Sequence, residues 1–142
     1  MSVASILASK ENGDVLTVTA DLPISKAVAV LAEKKVGALV VVDGESVCGI
    51  LSERDVVRGL GAAGPAVMTQ TVASLMTAEV STVTRSETID SVMRKMTEGR
   101  FRHMPVVEGG KLVGVISIGD VVKHRIAALQ HEAEALRDYV MS

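Results

Sequence analysis

Short aliphatic runs alternate along the chain with longer stretches whose apolar positions fall three and four residues apart. The run Val15 to Thr19 predicts a strand, and the polar break after it offers Asp21 as a helix N-cap. Ile24, Ala27/Val28 and Leu31 then fall at helical spacing. Two β-rich runs follow, Gly37 to Asp43 and Val47 to Leu51, with Asp43-Gly44 between them as the turn of a tight hairpin. A second helix opens at Ser52. The same order then returns. Val80 to Thr84 reads as a strand, Ser86 as an N-cap, and Ile89, Val92/Met93 and Met96 as a helical stripe. Arg102 to Glu108 and Leu112 to Ile116 flank Gly109-Gly110, and Ser117 opens another helix.

Sliding the chain against itself by 65 residues superposes the two patterns without a gap, and 14 of the 44 positions from Val15 to Arg58 are identical. That is an internal duplication. Each unit reads β-α-β-β-α over roughly 50 residues, too few to bury much surface alone. Two units packed sheet against sheet cover each other's apolar faces, so the pair is the expected folding unit. The expected fold class is α+β, with repeats at 1–64 (including the N-terminal segment) and 65–125, then a C-terminal amphipathic helix at 126–142. Gly59, Gly61, Gly64 and Pro65 predict a linker from Gly59 to about Gln70, and Val72 to Met76 a short helix. On the C-terminal helix, Ile126, Leu129, Ala133, Leu136 and Val140 share one face, which suits either a flap on its own module or a dimer contact.

Composition narrows the function. The apolar fraction of 48% and charged fraction of 23% suit a packed soluble core. Phe101 and Tyr139 are the only aromatics, which argues against a stacking platform for single-stranded nucleic acid. A net charge of −2 lacks the basic excess of a nucleic acid duplex binder. The single cysteine, Cys48, lies in an apolar run and reads as a buried structural thiol. No basic n-region with a long apolar stretch opens the chain, and no apolar run approaches the ~20 residues that span a bilayer. A cytoplasmic location without membrane contact is expected.

The best-matched segment occurs twice, as Gly49-Ile-Leu-Ser-Glu-Arg-Asp-Val-Val57 and Gly114-Val-Ile-Ser-Ile-Gly-Asp-Val-Val122. Gly49 and Gly114 permit close approach or an unusual torsion within a strand. Ser52 and Ser117 stand at strand-to-helix junctions, where backbone N–H groups carry a partial positive charge suited to phosphate. Asp55 and Asp120, three residues on, place a carboxylate where it can accept hydrogen bonds from two vicinal ribose hydroxyls. Ser-x-x-Asp at a helix start is also a capping box, and the two roles are compatible. No histidine accompanies either Ser/Asp pair and no metal-ligand spacing occurs, so no catalytic residue and no metal are expected.

These motifs, with Arg102-His103-Met104-Pro105-Val106, resemble those of a tandem cystathionine-β-synthase (CBS) domain pair, or Bateman module, of the stand-alone bacterial type. The resemblance covers roughly Val3 to Arg125. It implies two repeats packed about a pseudo-twofold axis, with two clefts for adenosine derivatives such as AMP, ADP, ATP, S-adenosylmethionine or NAD(H). It implies Asp55 and Asp120 as ribose ligands, with Ser52 and Ser117 on ribose or phosphate, and it brings Met104 and Pro105 into the ligand-binding set. It also implies a homodimer acting as a regulatory or sensory module on a separate effector protein. The other reading is a ligand-free protein–protein interaction module whose motifs only cap helices.

The repeats are not equivalent. Arg100, Arg102 and His103 align with Lys35, Gly37 and Ala38. Arg102 and His103 are therefore expected to contact phosphate, with Arg100 beside them, and the clefts are expected to differ in affinity or ligand. Arg54, replaced by Gly119 in the second motif, either reaches a phosphate or is exposed. Lys10 is read as a free surface lysine rather than one lying over a cleft, and His124 and His131 as exposed helix residues.

Overall fold

The computed structural model describes residues 2–10 and 15–141. In the first half, β1 (Thr17–Val18) runs parallel to β2 (Ala38–Asp43), which pairs antiparallel with β3 (Ser46–Ser52). The second half carries the hairpin β4 (His103–Glu108) and β5 (Lys111–Ser117). Its leading strand is reduced to a single parallel bridge between Val83 and Val106. Both predicted leading strands are thus shorter than the aliphatic runs that suggested them. The hairpins are otherwise alike, with a register shift at Val41/Val42 in one and Val106/Val107 in the other. Gly109 and Gly110, at φ 57° and 80°, make the second turn with backbone torsions that glycine adopts without strain.

The helix caps fall later than Asp21 and Ser86. Helix α2 (Ile24–Lys34) starts after Pro23 with no side-chain cap, and α5 (Ile89–Gly99) starts after Thr88, whose hydroxyl accepts from Ser91 N–H. Ile24 and Ile89 are themselves the first helical residues, so the cap lies directly before them. Both helices end on a non-glycine residue in the left-handed region, Lys35 at φ 56° and Arg100 at φ 57°. That conformation disfavours residues with a Cβ, yet it recurs at equivalent positions.

The predicted linker from Gly59 is helical instead. α3 (Glu53–Ala63) continues through Gly59 and Gly61 into a 3₁₀ segment (Gly64–Thr69), followed by α4 (Val72–Leu75). Gly59 serves contact, not a break: a Cβ there would lie 2.8 Å from Leu75 Cδ2. α6 (Ile118–Met141) is one continuous helix of 24 residues, about 36 Å long. Only Val121 is buried along it; Ile126, Leu129 and Leu136 on its apolar stripe are exposed.

Two aliphatic cores result, and the chain crosses between them. α1 (Val3–Ser9) inserts Val3 and Ile6 among Met96, Met104 and Ile116 of the second half. Val67 and Val72, from the segment that leads into the second repeat, lie instead with Leu39 and Leu51 of the first. Packing therefore cuts across the chain-order division at residue 64. The two insertions use the same hydrogen bonds 65 residues apart at their acceptors. Val3 and Ala4 N–H donate to Glu87 and Arg85 carbonyls, as Val72 and Ala73 N–H donate to Leu22 and Ala20. Each buried Val or Ile contributes about 1.5–3 kcal/mol relative to exposure, so each half depends on a helix that chain order assigns elsewhere. β3 and β5 touch across the pseudo-twofold relation, completing the sheet-to-sheet pair.

Candidate functional site

Both Ser-x-x-Asp motifs form reciprocal caps. Ser52 Oγ accepts from Asp55 N–H (3.2 Å), while Asp55 Oδ2 accepts from Ser52 N–H (2.9 Å) and its hydroxyl (3.0 Å). In the second repeat, Asp120 N–H donates to Ser117 Oγ (3.1 Å) and Asp120 Oδ2 accepts from Ser117 N–H (2.9 Å). The capping role is therefore real at both. Gly49 and Gly114, upstream, are packing glycines without left-handed torsions: a Cβ would lie 2.7 Å from Met76 Sδ in one case and 2.6 Å from Leu7 Cδ2 in the other. It is a leading helix, from α4 or α1, that approaches each strand.

Beside each motif opens a cleft between the halves. The first, about 400 Å³, combines Ser52, Arg54 and Asp55 of one repeat with Arg100, Phe101 and Arg102 of the other. The second, about 620 Å³, combines Ser117 and Asp120 with Lys35 to Ala38. Each cleft thus joins an acid at one repeat's helix start to a left-handed cation from the opposite repeat. His103 borders both. The charge balance differs. Among the described residues, Arg54, Arg58, Arg100 and Arg102 line the first with Glu53, Asp55 and Glu79, whereas Lys10, Lys35 and Arg85 line the second with Asp120.

Electrostatics sharpen the difference. Burial acts most strongly on Asp120 and favours its neutral form, but the Ser117 N–H and the Lys10 ammonium outweigh it and hold the carboxyl below its ordinary 3.8. Burial also dominates His103 and holds the imidazole below 6.5, against the pull of Asp120 and Glu53. At neutral pH, His103 is consequently an uncharged wall rather than a standing cation.

A CBS domain model matches residues 3–62 and 72–127. The chain belongs to the CBS domain family. A CBS-domain containing protein from Agrobacterium tumefaciens is 44% identical, with a TM-score of 0.84 over 88% of this chain and 99% of that one. The mitochondrial CBS domain-containing protein CBSX3 of Arabidopsis thaliana is 32% identical over 98% of this chain and 71% of its own length. The CBS domain pair of protein MJ0100, solved with 5′-methylthioadenosine and S-adenosyl-L-methionine, is 25% identical, with a TM-score of 0.79 over 90% of this chain and 98% of that one. Pairs of this CBS type thus include one that holds adenosine-containing ligands.

Against the CBS expectations, Ser52, Arg54, Asp55 and Arg102 gather at the first cleft, Ser117 and Asp120 at the second, and His103 at both. Met104 and Pro105 do not join them. Met104 is fully buried in the second core, and Pro105, buried on the opposite face of β4, lines neither cleft. Lys10 is not a free surface residue: its ammonium donates to Asp120 Oδ2 (3.0 Å) and to the Val115 carbonyl (2.8 Å). Phe101 and Thr77, at the first cleft, carried no motif that marked them in the sequence. Cys48 is half-buried rather than enclosed. Among the described residues, no group of three or more His, Cys, Asp or Glu is placed to hold a metal, and no helix is long and apolar enough to cross a membrane.

Proposed function

We propose that this CBS pair is a regulatory module that binds adenine nucleotides (AMP, ATP or NAD(H)) in its two clefts and signals their presence to a partner protein. The observation that carries this reading is the composite build of each cleft. A ligand spanning an Asp of one repeat and a cation of the other bridges the two halves, so its binding changes their packing. Asp55 and Asp120 take the ribose hydroxyls, and Arg54, Arg102 and Lys35 lie within the walls for phosphate. The adenosine-containing ligands of the MJ0100 pair support the ligand class.

Mass spectrometry of small molecules released from denatured, freshly purified protein tests this directly, followed by unfolding with AMP, ATP and NAD(H). A ligand at 100 times its dissociation constant raises the unfolding free energy by about 2.7 kcal/mol. An empty protein that no adenine nucleotide stabilises contradicts the reading and leaves a ligand-free interaction module.

The assembly we propose is a homodimer through α3 and α6, where Val57, Leu60, Val122, Ile126 and Leu129 are all exposed. Leu129→Glu is expected to convert it to a monomer in analytical ultracentrifugation without lowering its melting temperature below that of the wild-type monomer. A wild-type protein that sediments as a monomer at all concentrations contradicts this.

A further inference from the structure

The two clefts differ most where the leading helix ends. At the first, Thr77 follows α4, and its N–H donates to the Ile50 carbonyl (2.8 Å) while its hydroxyl lies 3.5 Å from Asp55 Oδ1. Val115 and Asp120 are the counterparts of Ile50 and Asp55, 65 residues on. There the Lys10 ammonium takes both roles, donating to the Val115 carbonyl (2.8 Å) and to Asp120 Oδ2 (3.0 Å). A neutral backbone and hydroxyl in one cleft are replaced by a full positive charge in the other.

We infer that Lys10 makes the Asp120 cleft selective for adenosine ligands bearing an anionic 5′ group. This rests on the nucleotide-binding reading above. A ribose diol that takes both oxygens of Asp120 displaces the Lys10 ammonium from Oδ2, the oxygen that also accepts from Ser117 N–H. A nucleoside supplies no replacement, and the lost pair counts against it. A 5′ phosphate supplies a stronger, charge-assisted partner. Among the described residues Asp55 forms no ion pair to be broken, so neutral adenosine derivatives are tolerated in its cleft.

The test compares AMP and adenosine by calorimetry in an Asp55→Asn background, which leaves the Asp120 cleft to be read. Lys10→Met is expected to weaken AMP about tenfold and to tighten adenosine several-fold, shifts of opposite sign. Lys35→Met, which lines the same cleft without pairing with Asp120, is expected to weaken AMP with no gain for adenosine. Lys10→Arg is expected to restore the wild-type preference. If both ligands bind and Lys10→Met leaves their ratio unchanged, or weakens both together, the selectivity role is overturned while nucleotide binding stands. If neither ligand binds any form, the nucleotide reading of this cleft fails with it. Melting temperatures within a few degrees of wild type show that each variant is folded.

Discussion

The Asp55 and Asp120 clefts share one frame and diverge in what lines it. Both have a glycine strand under a leading helix, a reciprocal Ser/Asp cap and a left-handed cation from the opposite repeat. Among the described residues, the first is bordered by four arginines and three carboxylates, and the second by Lys10, Lys35, Arg85 and one carboxylate, Asp120, which is paired to Lys10. Backbone features that hold the halves together are common to both repeats, while the side chains that line the clefts differ. The duplication accounts for the existence of two clefts; their different linings come from unequal aligned positions, such as Arg54 against Gly119 and Gly37 against Arg102, and from Lys10 outside the aligned repeat.

Disturbing the shared frame should have the largest effect. Gly49→Val and Gly114→Val each drive a side chain into a leading helix and are expected to cost about 1–3 kcal/mol in urea unfolding. The loss should be larger for Gly49, whose Cβ also meets the Thr77 backbone oxygen at 3.0 Å, whereas the nearest atoms to a Cβ at Gly114 belong to the flexible side chain of Leu7. Equal tolerance at both would mean that the leading helices are not docked as described.

A smaller effect separates the clefts by pH. Because the folded Asp120 carboxyl lies below its ordinary 3.8, its ionised contribution is complete above that value and is lost as pH falls through the lower folded one. The stability advantage of wild type over Asp120→Asn is expected to be under about 1 kcal/mol, given the solvent around the pair, and to vanish in strong acid. Lys10→Met should shrink that advantage at neutral pH. An advantage that grows on acidification contradicts the ion pair.

The smallest signal concerns the wall the clefts share. His103 is held below 6.5 by burial, so the folded state resists its protonation, and any stability this gives is present above 6.5 and lost as pH falls through the folded value. Its imidazole should titrate by NMR below 6.5 in the ligand-free protein, and a bound phosphate nearby should raise that midpoint. A midpoint above 6.5 without ligand would contradict burial as the dominant influence on His103.

The duplication, the two hairpins and the Ser/Asp junctions were legible because they rest on local periodicity and on identities at a fixed offset. The exchange of leading helices was not. Val3 and Ile6 read as apolar whichever core receives them, and Val3-Ala-Ser and Val72-Ala-Ser lie outside the gapless alignment, at a spacing of 69 rather than 65. The glycines around residue 59 misled for a related reason: Gly59 makes room for Leu75, a tertiary demand invisible to local propensity. Arg102 and Asp55 were found because each stood out from its aligned partner or matched it. Lys10 had no aligned partner at all, and Met104 matched a motif while its side chain went to the core.

The central claim, two unequal nucleotide clefts on one duplicated frame, is tested most directly by calorimetric titration of the wild-type protein with AMP beside Asp55→Asn and Asp120→Asn. The wild type should show two classes of site separated by about tenfold or more. Each variant should lose one class and keep the other. Two sites of equal affinity, or titrations that neither substitution alters, would contradict it.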